Sequence, residues 1–234
     1  MGIRTALLAA VCLLMPCYGV ADSGTATEPE PSQTINLSYV SHPVIDTVLL
    51  PVIRTAYQNL GLKVNFIVVE AERGLRLLQD GMVDGDVART GIVLAKLDNI
   101  ITLTKLDELT LELHCRPGIQ CKLADLTNPG VLIFFPESAR TVKELQLMIT
   151  AQKYHVSSWT KLVELYQADK IDRFLWIRSS LTCKSPVAET TIVTIPTAPI
   201  EIFHVIHKSK SDLQQLLTTE IETELARVSA GRCH

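Results

Sequence analysis

The stretch AERGLRLLQDGMVDGDVAR, Ala71 to Arg89, decides how the rest of the chain is read. Leu75 and Leu78 lie three apart on one face of a helix, and Gly81 follows as its C-terminal cap. The short segment Val83 to Ala88 then has strand character and ends on a lone arginine, Arg89. Glu72 belongs to the first helical turn, where the dipole favours an acid, and Arg73 beside it reads as solvated helix surface, with a position facing a cleft as its other reading. Asp84 is suited to accepting turn amides. Asp86, two residues along the strand, projects on the same face as Asp84.

Upstream, KVNFIVV from Lys63 to Val69 is rich in β-branched and aromatic residues and predicts a strand. Before it, Val44 to Leu60 is a helical run kinked near Pro51 and ended by Gly61, and INLSYV from Ile35 is a first strand. This strand–helix alternation implies a parallel sheet covered by helices. Downstream, Leu106 to His114 is a further extended run, and VLIFF, Val131 to Phe135, is the most apolar strand of the chain. A second series follows: a helix from about Ala139 to Gln152, another from about Trp159 to Ala168, and a strand at Phe174 to Ile177. Strand character returns at Pro199 to His207, and a helix from about Asp212 to Val228 closes the chain. Two α/β units are built in succession.

The N-terminus sets the compartment. Arg4 precedes an apolar run from Ala6 to Met15, and Gly19-Val20-Ala21 supplies the small residues of a cleavage site. Residues 1–21 are expected to be a signal peptide, with the mature protein starting at Asp22 in the periplasm. Cys17 offers a lipoprotein alternative, for which Pro16 is a poor fit. Residues 22–34, acidic and almost without apolar side chains, read as a flexible linker. No later apolar run approaches the ~18 residues that cross a bilayer.

The formal charge of −3 with scattered Lys and Arg leaves no basic stripe, which argues against nucleic acid as a partner. Beyond the leader the cysteines are Cys115, Cys121, Cys183 and Cys233, an even set in an oxidising compartment. Cys115 and Cys121 flank a Pro117-Gly118 turn that brings their sulfurs together. Cys183 with Cys233 is the remaining pair. A metal would have to use His114, Cys115 and Cys121, or Cys233 and His234, and neither set has a recognisable zinc spacing. No cofactor is expected, and the protein is expected to be a monomer.

With Glu72-Arg73, Leu75, Leu78, Gly81, Val83-Asp84-Gly85 and Arg89 laid out, the chain resembles the periplasmic solute-binding proteins of ABC transporters. The likeness is to the family-3 type that includes the polar amino-acid binders, and it runs through the order of elements over most of residues 35–234. The resemblance implies a two-lobed α/β fold with the second lobe inserted into the first and a ligand cleft between them. Lobe 1 would be residues 35–112 and 198–234, and lobe 2 residues 113–197. It also implies that Arg89 grips a ligand carboxylate, for which a planar guanidinium fork is suited. The residues themselves leave a second role open, an ion pair of Arg89 with Asp84 or Asp86.

Tyr39, Ser41 and His42 follow the first strand and reach the same cleft, as does Asp86. Glu137 and Ser138, between VLIFF and the next helix, stand where a doubly wound lobe offers backbone amides to a ligand. One departure limits the likeness. Amino-acid binders commonly place an aspartate five residues beyond a turn that here is Asp169-Lys170-Ile171-Asp172, and that position is Ile177. An isoleucine cannot hold an ammonium, so either Glu137 meets it or the ligand is not a standard α-amino acid.

The function expected is a binding protein for a small polar or anionic solute, with an ABC-transporter permease or a membrane sensor as its implied partner. The alternatives are a dehydratase-like enzyme on the same fold, with Glu137, His42 and Asp86 as the acid–base recruits, or a ligand-sensing subunit of a membrane receptor.

Overall fold

The computed structural model describes residues 33–95, 97–136, 149–182 and 185–230. Residues 1–21, most of the linker, Glu137, Ser138, Cys183 and Cys233 lie outside the described residues. Strand β1 (Thr34–Tyr39) leads through a π-helical turn (Ile45–Leu49) into α1 (Leu50–Asn59). Pro51 stands in the first turn of α1, where its missing N–H breaks no helical hydrogen bond. The kink expected there is thus a change of helix type just upstream of the proline.

Next come β2 (Lys63–Val68), α2 (Ala71–Gln79), β3 (Gly85–Thr90) and the single turn α3 (Gly91–Leu94). Gly81, at φ +67°, takes the left-handed conformation that ends α2. The remaining strands are β4 (Ile100–Cys115), β5 (Leu132–Pro136), β6 (Gln152–Val156), β7 (Arg173–Ser179), β8 (Thr191–Thr194) and β9 (Ile200–His207). Helix α4 (Trp159–Gln167) precedes β7, and α5 (Gln214–Ala230) follows β9.

The strands join in the order β2-β1-β3-β9-β4-β7-β5-β6, with β8 on β4. The strands of each alternating series are parallel, as the alternation implies, but the whole sheet is mixed. β2, β1 and β3 are mutually parallel, as are β7, β5 and β6, but β9 and β4 run antiparallel to their neighbours. The physical reason is the return of the chain: β9 comes back from the far half and slots between β3 and β4. A correction falls at Gln152, expected as the end of a helix and found as the start of β6. A second is β4 itself, which spans 16 residues where nine were expected.

Strand β4 belongs to both halves of the sheet. Its first part pairs with β9, and its last part pairs with β7 on one side and β8 on the other. Bulges between Thr102 and Lys105 and between Lys105 and Asp107 bend it between those roles. Leu111 to Cys115 are all buried, as befits a strand covered on both faces. A single hydrophobic cluster runs from Ile35, Leu37 and Ile53 to Leu162, Phe174 and Leu217, and α5 packs on α1. A smaller cluster of Leu78, Val83, Leu94 and Val205 lies beneath α2.

Candidate functional site

The carboxyl ends of β1, β2 and β6 converge on one cleft of about 460 Å³. Its walls are Val40 and Ser41 after β1, Val68, Val69, Glu70 and Arg73 at the β2–α2 junction, and Ser157 and Ser158 after β6. β2 and β6 are the opposite edges of the strand order. They meet here because the sheet turns at the bulges of β4. A cleft at strand carboxyl ends is the ordinary ligand site of an α/β sheet, and this one also receives the N-termini of α2 and α4, whose amides and dipoles favour an anion. Ser158 caps α4 by accepting the Lys161 amide at 3.1 Å. Glu70 and Arg73 have no side-chain partner among the described residues, so an acid and a base stand ready one helical turn apart.

Arg89 takes up the ion pair among its two open roles. Its Nη2 donates to Asp86 Oδ2 at 2.6 Å and its Nη1 to the Ala71 carbonyl at 3.1 Å, and the residue is 6% exposed. Gly74 makes room for it: a Cβ there would come within 2.1 Å of Nη2. Asp86 is fully buried and also accepts the Ser38 hydroxyl at 2.6 Å and the Ala88 amide at 3.2 Å. Burial pushes its carboxyl up, against the pull of Arg89, Ser38 and Ala88. The pair ties the first turn of α2 to β3, behind the cleft wall that carries Arg73.

The residues after β1 divide. Tyr39 is half-buried and meets Phe66 edge-on at 6.3 Å. Ser41 lines the cleft, its hydroxyl donating to Asp46 at 2.8 Å. His42 turns inward against two tryptophans, 4.8 Å from Trp159 and 5.6 Å from Trp176, which are themselves 5.1 Å apart and nearly perpendicular. Its Nδ1 accepts the Val44 amide at 3.3 Å, which places the ring proton on Nε2, and that buried atom has no acceptor among the described residues. Burial lowers the pKa of His42 to about 4.

Three arrangements depart from the sequence reading or go beyond it. Arg73, read as solvated helix surface, lines the cleft. Asp107, in the bulged part of β4, accepts the hydroxyls of Ser179 and Ser180, the Ser180 amide at 3.2 Å and the Glu108 amide at 2.7 Å. On the next buried stretch, Glu112 holds His114 Nε2 at 3.0 Å and Arg178 Nε at 2.6 Å. Only the Ser157-Ser158 pair before a helical run could have signalled the cleft, as an N-cap. Cys115 and Cys121 form a disulfide with Cα atoms 5.7 Å apart, so their sulfurs are not free for the metal set considered with His114.

No family model and no curated protein matches the sequence. Solved structures do. The ligand-binding core of GluR0 in complex with L-glutamate superposes with a TM-score of 0.66 at 15% identity, over 85% of this chain and 96% of that one. The chain has the fold of the family-3 periplasmic binding proteins. An ancestral amino acid-binding protein, a precursor of cyclohexadienyl dehydratase, matches with a TM-score of 0.66 at 10% identity, covering 84% of this chain and 93% of its own. The L-cystine solute receptor of Neisseria gonorrhoeae, in an unliganded open conformation, matches at 0.53 and 17% identity, over 85% and 90%. This periplasmic-binding-protein fold is the mixed α/β sheet described above, and its cleft lies at the strand ends.

Proposed function

We propose that the chain is a periplasmic binding protein that closes on a small polar or anionic solute, amino-acid-like or another carboxylate, and hands it to a membrane transporter. One observation carries the reading: the cleft at the strand carboxyl ends, faced by two helix N-termini and by Arg73, which has no side-chain partner among the described residues. Ligands named for proteins of the same fold, L-glutamate and L-cystine, carry carboxylates. Arg73, Ser157 and the α4 amides take the anionic group, Glu70 offers an acceptor for a ligand cation in place of the absent second-lobe aspartate, and Val68 and Val69 pack on the ligand's apolar atoms. Arg89 and Asp86 serve from behind by fixing α2. The lobes are residues 35–112 with 198–234, and 113–197, joined through β4. Of the acid–base recruits an enzyme would need, Asp86 is engaged by three donor atoms and His42 is buried among tryptophans, which favours binding over catalysis.

The test is to purify the secreted protein, denature it, identify released small molecules by mass spectrometry, and titrate the same molecule back by calorimetry. A single polar or anionic solute binding one-to-one is expected. Arg73→Ala should weaken it about ten- to a hundred-fold, since a charge-assisted hydrogen bond contributes roughly 1.5–3 kcal/mol. Release of no such molecule, together with no heat from any amino acid or small carboxylate, would reject the proposal.

A further inference from the structure

We propose that His42, packed against Trp159 and Trp176, is a latch that holds the two walls of the cleft together in the absence of solute and releases them when its ring gains a proton. The inference rests on the cleft described above and adds its regulation. His42 directly follows Ser41, and Trp159 directly follows Ser158, both cleft-lining serines. The three rings are buried and do not line the cleft themselves, but two of them come directly after residues on its opposite walls. His42 comes from the turn after β1, whereas Trp159 opens α4 and Trp176 lies in β7, so the packing spans the two halves of the sheet.

The latch accepts only a neutral ring. Nδ1 must keep its lone pair to receive the Val44 amide, and a proton there would set two N–H groups against each other. Among the described residues Nε2 already lacks an acceptor, so none of them waits for a positive charge. Among the described residues, the charged groups on the elements that carry the three rings are engaged elsewhere. Asp46, on the same turn, accepts the Ser41 hydroxyl; Lys161, in α4, pairs with Glu164; and Glu112, cross-strand from Trp176, holds His114 and Arg178, its neighbour in β7. Cation–π attraction to the indoles offsets part of the cost of a charged ring but satisfies neither N–H. Burial accordingly holds the ring's pKa at about 4. In an opened cleft the ring regains water and a value near 6.5. Acid therefore shifts the balance toward the open form as pH falls from about 6.5 to about 4.

The two tryptophans of the latch are the only two in the chain, so their fluorescence reports it without labels. The solute-free protein is followed from about pH 7.5 to about pH 4.5 by tryptophan emission, acrylamide quenching and far-UV circular dichroism. The expected result is emission moving to longer wavelength and quenching rising as pH falls, with the far-UV signal unchanged. His42→Phe, which keeps a ring but cannot titrate, should stay shielded throughout. A wild-type signal that does not move, an equal shift in His42→Phe, or a shift accompanied by loss of helix overturns the proposal. Small-angle scattering of the wild type alone, should His42→Phe not fold, gives the same decision: a radius of gyration that rises in acid supports the latch, and a constant one overturns it. None of these measurements uses a solute, so failure of the latch and failure of solute binding are separate outcomes.

Discussion

Arg89 and Asp86 lie one above the other beneath α2, and the energetics of a buried pair decide what substitution there does. Removing one partner strands the other's charge without water, which costs roughly 3–5 kcal/mol, whereas replacing both by apolar groups of similar size is often close to neutral. Arg89→Ala should therefore lower the melting temperature sharply, and the double change Asp86→Leu with Arg89→Met should recover much of the loss. Thermal melts of the single and double variants check this, and a double variant no better than the singles would refute it. A second expectation concerns two buried histidines. His42 and His204 are both held at about pKa 4, His204 between the Tyr57 hydroxyl at 2.9 Å and the Val87 carbonyl at 3.2 Å. The folded-state values lie below the unfolded value of 6.5, so the unfolded chain binds more protons between them. Their stabilising effect is complete above about pH 6.5 and declines as pH falls toward about 4, by on the order of 3 kcal/mol for His204 and by less for His42, whose ring is released when the cleft opens. Urea titrations across that range should show the decline, and it should be shallower in a variant that removes either imidazole.

Strand β4 is the element on which the two halves depend, and its Asp107 carboxylate sits where pairing passes from β9 to β7. Four donor groups from Glu108, Ser179 and Ser180 converge on it. Asp107→Ala leaves buried donors without an acceptor, at about 1–3 kcal/mol for each one stranded. We expect a lower melting temperature together with faster amide exchange of Ser180 than of residues in β1 and β2. Uniform acceleration would show that Asp107 acts on the whole fold rather than on this crossing. At the end of β4, the Cys115–Cys121 disulfide closes a short loop over the turn at Gly118, whose φ is +84°. Loop-closure entropy for so small a ring predicts about 2 kcal/mol. Non-reducing peptide maps should find the two cysteines linked, and reduction should lower the melting temperature modestly without abolishing the fold.

For the molecule as a whole, the sequence by itself determined what short-range physics encodes. Turn glycines, β-branched runs and helical periodicity located β1, β2, α2, β3, α4, β7 and β9 to within a few residues, because each signal is carried by side chains adjacent in the chain. Gly81 marked the end of α2 because few other residues take a positive φ, and Pro117-Gly118 brought two cysteines together because the turn is local. The two-lobed fold was legible through the pattern from Glu72 to Arg89. What only the tertiary structure decided depends on partners far apart in sequence. β6 and β8 carry weak strand signals and became strands because β5 and β4 offer them unpaired edges. Whether Arg89 faces a ligand or Asp86 depended on the room left by Gly74, and Arg73 became a cleft residue only when β2 and β6, at opposite edges of the sheet, met around the bend in β4. The burial of His42 between Trp159 and Trp176 joins residues more than a hundred positions apart. No local pattern records such a contact, since it exists only once the two halves have packed and excluded water between them.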